Sequence, residues 1–84
     1  MSRSVQRVQT GVRLEKSLLK VLKATAEYTD LTLGDLLEGI VLHAFDGKCA
    51  FSAETLTAIN EFKRLYGCSL SADDSHRLVE QAPE

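Results

Sequence analysis

The chain has 84 residues and a net charge of −2; 44% of its residues are hydrophobic and 26% are charged. This composition is typical of one small globular domain and excludes a largely disordered chain or a large multidomain enzyme. No apolar run is long enough to span a bilayer, and the first seven residues lack the apolar core of a secretory signal. We therefore expect a cytoplasmic protein whose cysteines, Cys49 and Cys68, stay reduced.

The charged residues are unevenly distributed along the chain. Residues 1–23 contain six basic residues and one acidic residue, a net charge of +5, whereas residues 24–84 contain four basic and eleven acidic residues, a net charge of −7. This asymmetry predicts a basic working surface on an acidic body, with a basic tail of no function as the alternative.

Chemistry-bearing motifs are missing from the sequence. The gaps between the cysteines and histidines fit no usual zinc pattern, and there is neither a Ser/His/Asp set nor a Gly-rich phosphate loop. We expect no metal, no cofactor and no enzymatic activity.

The first predicted element is a β-strand at residues 7–14. Val8, Thr10, Val12 and Leu14 alternate with more polar positions, which is typical of a half-buried strand. No other stretch of the chain offers a convincing partner, and an isolated strand is unstable. The simplest solution is pairing with the same strand of a second chain, which predicts a dimer.

Two helices are predicted to follow the strand. The first runs from Glu15 to Tyr28 and has lysines spaced to form one basic stripe, which is either a binding face or merely solvated. The second begins after an N-cap at Thr32, and Gly47 is placed to end it in a left-handed conformation. Its broad apolar face again suggests burial against a second subunit.

A third helix is predicted from Ser52, with Gly67 ending it. Ser71 is the candidate cap of a last short helix whose strong apolar residues are Leu78 and Val79. These two elements form an acidic C-terminal extension over residues 48–84.

The order strand, helix, turn, helix resembles the ribbon-helix-helix family of DNA-binding proteins, of the Arc, MetJ and CopG type. The resemblance covers residues 7–46. It is carried by Gly11-Val12-Arg13-Leu14-Glu15, Leu18-x3-Leu22-x3-Ala26, Leu31-Thr32 and Leu36-Leu37-x2-Ile40-Val41. It implies a mainly α-helical fold with one short N-terminal β-strand, namely a ribbon-helix-helix homodimer with a C-terminal helical extension. Residues 1–47 would form the dimerisation and DNA-binding core.

The resemblance also implies a function and residue roles. An antiparallel β-ribbon would enter the DNA major groove, and the protein would be a homodimeric transcriptional regulator. Base contacts would involve Gln9, Gly11 and Arg13; Gly11, however, has no side chain with which to read a base. Phosphate contacts would come from Arg7, Lys16 and the start of the second helix at Thr32, Leu33 and Gly34. The dimer core would contain Val8, Val12, Leu14, Leu36, Leu37, Ile40 and Val41.

A second hypothesis gives the extension the main role. In this reading the N-terminal core only dimerises, and residues 48–84 bind another protein, as the partner-binding arms of antitoxins in this family do. The caps and apolar stripe of the third helix indicate instead that the extension folds onto its own core. The sequence leaves both possibilities open.

Overall fold

The computed structural model describes residues 2–82, which contain three α-helices and one short 3-10 turn. The helices are α1 (Lys16–Tyr28), α2 (Leu33–Phe45) and α3 (Ala53–Leu65), and the turn is Ala72–Asp74. Three residues lie outside the described range: Met1 of the predicted core region 1–47, and Pro83 and Glu84 of the predicted extension 48–84.

Each helix begins at a side chain that caps its free amides. Thr32 Oγ1 accepts a hydrogen bond from the Asp35 N–H at 3.1 Å, and Ser52 Oγ accepts one from the Thr55 N–H at 3.2 Å. These caps confirm the predicted starts of α2 and α3. The carboxylate of Glu15 caps α1, so this helix begins one residue later than the sequence predicts.

All three helices end in the same backbone motif. At the end of α2, Lys48 N–H donates to the His43 carbonyl at 2.8 Å and Gly47 N–H donates to the Ala44 carbonyl at 3.0 Å. This is the Schellman pattern, which requires a left-handed residue after the helix. Gly47 has a φ of 69°, as predicted. The corresponding positions after α1 and α3 are Asp30, with a φ of 58°, and Gly67, with a φ of 67°.

The predicted β-strand at residues 7–14 is wrong. Residues 2–82 contain no strand, and residues 2–15 form an irregular exposed segment, here called the N-terminal arm. A strand is defined by hydrogen bonds to a neighbouring strand, and no described segment of this chain supplies them. The finding overturns the expected fold class: residues 2–82 form an all-α fold, which lacks the β-strand that a ribbon-helix-helix protein requires.

The hydrophobic core is small and centres on α1. This helix packs against both α2 and α3, and its contact with α3 is the more extensive. Val21, Ala26, Leu36 and Cys68 are the buried apolar residues, each 3–6% exposed. The rings of Tyr28 and Phe62 meet edge to face across α1 and α3, with centroids 6.0 Å apart.

The predicted last helix begins after Ser71, as expected, but is shorter than expected. Only the single turn Ala72–Asp74 forms, with the Ser71 N–H donating to the Asp74 carboxylate at 2.8 Å. Leu78 and Val79 are 54% and 92% exposed, so they do not supply the buried face that would stabilise a helix.

No helix in the described part of the chain is long and apolar enough to cross a membrane.

Candidate nucleic-acid interface

The basic residues of the chain's first quarter occupy one continuous exposed stretch, the N-terminal arm and the first two turns of α1. Lys16, Lys20 and Lys23 lie at successive turns of α1, and all three are exposed. Within the described residues none of these lysines forms a salt bridge. Their charges are therefore available to an external anion.

The charge pattern of α1 is the reverse of the patterns of its neighbours. The first turns of α2 and α3 contain Asp35 and Glu54, and their last turns contain basic residues, as the helix dipole favours. The first turn of α1 contains no acidic residue and begins with Lys16, and its last turn contains no basic residue. A positive charge at Lys16, in the first turn of the helix, opposes the helix dipole and costs stability, so the dipole does not account for a lysine at this position.

The cap of α1 offsets part of that cost. The Glu15 carboxylate accepts hydrogen bonds from the Ser17 hydroxyl at 2.6 Å, the Leu18 N–H at 2.9 Å and the Ser17 N–H at 3.1 Å. The hydroxyl bond, followed by the two amide bonds, lowers the pKa of Glu15 below its ordinary value. The carboxylate thus stays ionised beside the otherwise positive start of the helix.

Arg7 is held against α2. Its Nε and Nη2 donate to the two carboxylate oxygens of Glu38, each at 2.9 Å. The hydrogen bond from Arg7 lowers the pKa of Glu38 and raises that of Arg7. Both side chains remain at least half exposed, so the pair is accessible to solvent and to competing anions.

Arg13 meets the C-terminal segment. Its Nη2 donates to the Glu80 carboxylate, and both side chains are largely exposed. Residues 13–16 and 78–81 line opposite sides of an open cleft of about 800 Å³. The end of the arm, the start of α1 and the tail are therefore neighbours.

The remaining residues predicted to contact DNA have different surroundings. Gln9 and Gly11 lie on the exposed arm, and nothing lies within 4 Å of the position a Cβ would occupy at Gly11. Leu33 and Gly34 open α2, where their amides make no hydrogen bond to a protein acceptor among residues 2–82. Thr32 is occupied as the cap, and Asp35 adds a negative charge to the same turn.

The structure also separates the residues predicted to form a dimer core. Leu36 is buried within its own chain, and Leu37 and Ile40 are half-buried. The others are exposed by 40–81% of their surface: Val8, Val12, Leu14 and Val41. Beyond Val41, Leu42 and Phe45 are 65% and 82% exposed, which extends the apolar face of α2 toward its C-terminus.

The sequence did not predict the contacts of three acidic residues near the basic residues: Glu15, which caps α1, and Glu38 and Glu80, which pair with arginines of the arm. Glu is outside the usual set of N-cap residues, so Glu15 reads from sequence as the first residue of the helix. Glu38 and Glu80 are 31 and 67 positions away from the arginines they contact. No local spacing signals such pairs.

Comparison with known proteins places no constraint on these roles. No family model, no curated protein and no solved structure matches this chain. No cluster of three or more His, Cys, Asp or Glu residues suited to a metal ion occurs in the described range.

Proposed function

We propose that this chain is a homodimeric regulator that binds double-stranded DNA through its N-terminal arm and the basic face of α1. The observation that carries the proposal is the row of exposed lysines on α1, Lys16, Lys20 and Lys23, of which Lys16 stands in the first turn, where a positive charge costs stability. These lysines can neutralise the phosphates of DNA. Phosphate neutralisation releases counterions, and this release dominates the affinity of a protein for DNA.

The basic face of α1 has dimensions that suit phosphate contacts. Lys16 and Lys23 are separated by about 10 Å along the helix axis, given the rise of an α-helix. Lys20 lies between them, and Arg13, which lines the same cleft as Lys16, is paired with Glu80 but largely exposed. Glu27, one turn beyond Lys23, limits this region to the first half of α1.

Sequence discrimination in this proposal comes from two side chains of the arm. An Arg13 guanidinium can donate two hydrogen bonds to guanine, and the Gln9 amide can pair with adenine. Both side chains are exposed on the arm, and basic arms of this kind lie in the grooves of DNA in other DNA-binding proteins. Gly11 adds no base contact of its own.

The dimer in this proposal is formed by the exposed apolar face of α2, consisting of Val41, Leu42 and Phe45. In an antiparallel pair of α2 helices, Asp35 and Glu38 of one copy would lie toward His43 and Lys48 of the other. Phe45→Ser should then shift the sedimentation equilibrium toward monomer, whereas Val79→Ser, at another exposed apolar position, should leave it unchanged. A wild type that stays monomeric at high micromolar concentration would exclude this dimer.

Titration with random duplex DNA at several salt concentrations tests the DNA-binding function. Lys16→Ala and Lys20→Ala should each weaken binding to all sequences and reduce the salt slope by about 1. Arg64→Ala removes the same charge from an exposed position on α3, outside the basic face and the proposed dimer contact, and is the matched control. Equal losses in all three variants, or no binding by the wild type at low salt, would refute the proposal.

A second candidate is a protein-interaction module of the antitoxin type, in which the C-terminal region binds another protein in the cytoplasm. It is favoured by an open, mainly apolar groove of about 370 Å³ between α1, α3 and residues 70–78. The groove is lined by Leu18, Leu22, Ile40, Ile59, Leu70 and Leu78, among others. A gene for a small toxin-like protein next to this one, with co-purification of the two products, would support this candidate. Ile59→Asp, at the centre of α3, should abolish the association.

A further inference from the structure

The two arm arginines that contact DNA in the proposed function are both already paired with carboxylates. Three salt bridges occur within residues 2–82, and the third, between Glu61 and Arg64, is a local pair on α3. Both long-range salt bridges of the described chain therefore hold the N-terminal arm, one to α2 and one to the tail.

The geometry of these contacts makes the carboxylates competitors of phosphate. Glu38 receives two parallel hydrogen bonds from Arg7, which is the fork arrangement that a guanidinium also offers to a phosphate. A phosphate and Glu38 compete for the Nε–Nη2 edge of Arg7, and each carboxylate neutralises the charge of the arginine that it contacts. Displacement of Glu38 from Arg7 and of Glu80 from Arg13 therefore restores the full positive charge of both arginines toward DNA.

The tail adds a second obstacle beside Arg13. Residues 78–81 line the same cleft as Arg13 and Lys16, so the tail lies beside the junction of the arm and α1. Duplex DNA approaching this junction meets both the tail and the negative charge of Glu80.

We propose that the C-terminal segment, through Glu80, and α2, through Glu38, form an autoinhibitory clamp that holds the N-terminal arm away from DNA. This inference rests on the proposed function. Release of the tail, by a partner that binds it or by competition from DNA phosphates, frees the arm for binding.

Limited trypsin digestion tests the clamp without DNA, because trypsin must take the arginine side chain into its own specificity pocket. Glu80→Gln should accelerate cleavage after Arg13 and leave cleavage after Arg7 unchanged. Glu38→Gln should accelerate cleavage after Arg7 and leave cleavage after Arg13 unchanged. Glu54→Gln removes the same charge from an exposed position on α3 and should change neither rate. Equal rates for all four proteins would overturn the clamp.

DNA titration at low salt then tests the inhibition. Glu80→Gln should tighten binding roughly two- to fivefold, the range expected for release of an exposed ion pair. Glu54→Gln measures the effect of net charge alone. If the wild type binds DNA and Glu80→Gln binds no better than Glu54→Gln, the clamp is refuted and the proposed function stands. If none of the proteins binds DNA, the proposed function itself fails.

Discussion

Replacement of Leu36 by alanine should cost more stability than any exposed apolar truncation in the chain. Leu36 is the least exposed apolar residue, at 3%, and it joins α2 to the small core around α1. The change removes three carbons, worth about 2.4 kcal/mol at about 0.8 kcal/mol per buried CH₂ group. The cavity left behind adds to this loss, so we expect the free energy of unfolding to fall by about 3 kcal/mol. Small domains have total stabilities of about 5–15 kcal/mol, which makes this loss severe.

Urea denaturation followed by far-UV circular dichroism measures the change. Leu42→Ala removes the same three carbons from a side chain that is 65% exposed, so it should cost less than about 1 kcal/mol when the protein is dilute. If the proposed dimer forms, the free energy of unfolding lost in Leu42→Ala should increase with protein concentration. The loss in Leu36→Ala should already be present at the lowest concentration. Equal losses for the two variants in dilute solution would show that Leu36 is not a core residue.

Two further predictions concern the helix ends. Gly47→Ala should destabilise the protein by about 1 kcal/mol because alanine is strained at a φ of 69°, whereas Gly39→Ala, inside α2 and also in open space, should stabilise it by a similar amount; thermal unfolding compares them directly. Because the folded pKa of Glu15 lies below its unfolded value, its contribution is present above the ordinary glutamate pKa and is lost as the pH falls through the lowered one. The melting temperature of Glu15→Gln should therefore fall less steeply than that of wild type in this acidic range, and parallel curves would contradict the cap.

The helical part of the fold could be predicted from the sequence because its signals are local. Thr32 and Ser52 cap amides three residues away, and Gly47 and Gly67 end helices through bonds within a few residues. Apolar spacing over the same windows predicts which face is buried, as at Val21 and Leu36.

The failures concern structure that depends on distant partners. Val8, Thr10 and Val12 do alternate with more polar residues, but a strand needs hydrogen bonds to a neighbouring strand. No segment within residues 2–82 supplies them, and residues 2–15 remain an exposed arm. Leu78 and Val79 remain 54% and 92% exposed, so no buried face stabilises a helix beyond Asp74. The ion pairs of Glu38 and Glu80 could not be predicted from the sequence either, because their partners, Arg7 and Arg13, are far away in the chain.

The start of α1 serves both stability and the proposed DNA binding, and one substitution should move the two properties in opposite directions. Lys16→Ala removes a positive charge from the positive end of the helix dipole and installs a better helix former, so it should raise the free energy of unfolding by about 0.5 kcal/mol. The same change should weaken DNA binding. Arg64→Ala is the mirror-image control: it removes a base from the last turn of α3, where the dipole favours it, and should lower stability without changing DNA binding. A loss of stability in Lys16→Ala would mean that Lys16 is a structural residue, and its position on α1 would no longer support a role in DNA binding.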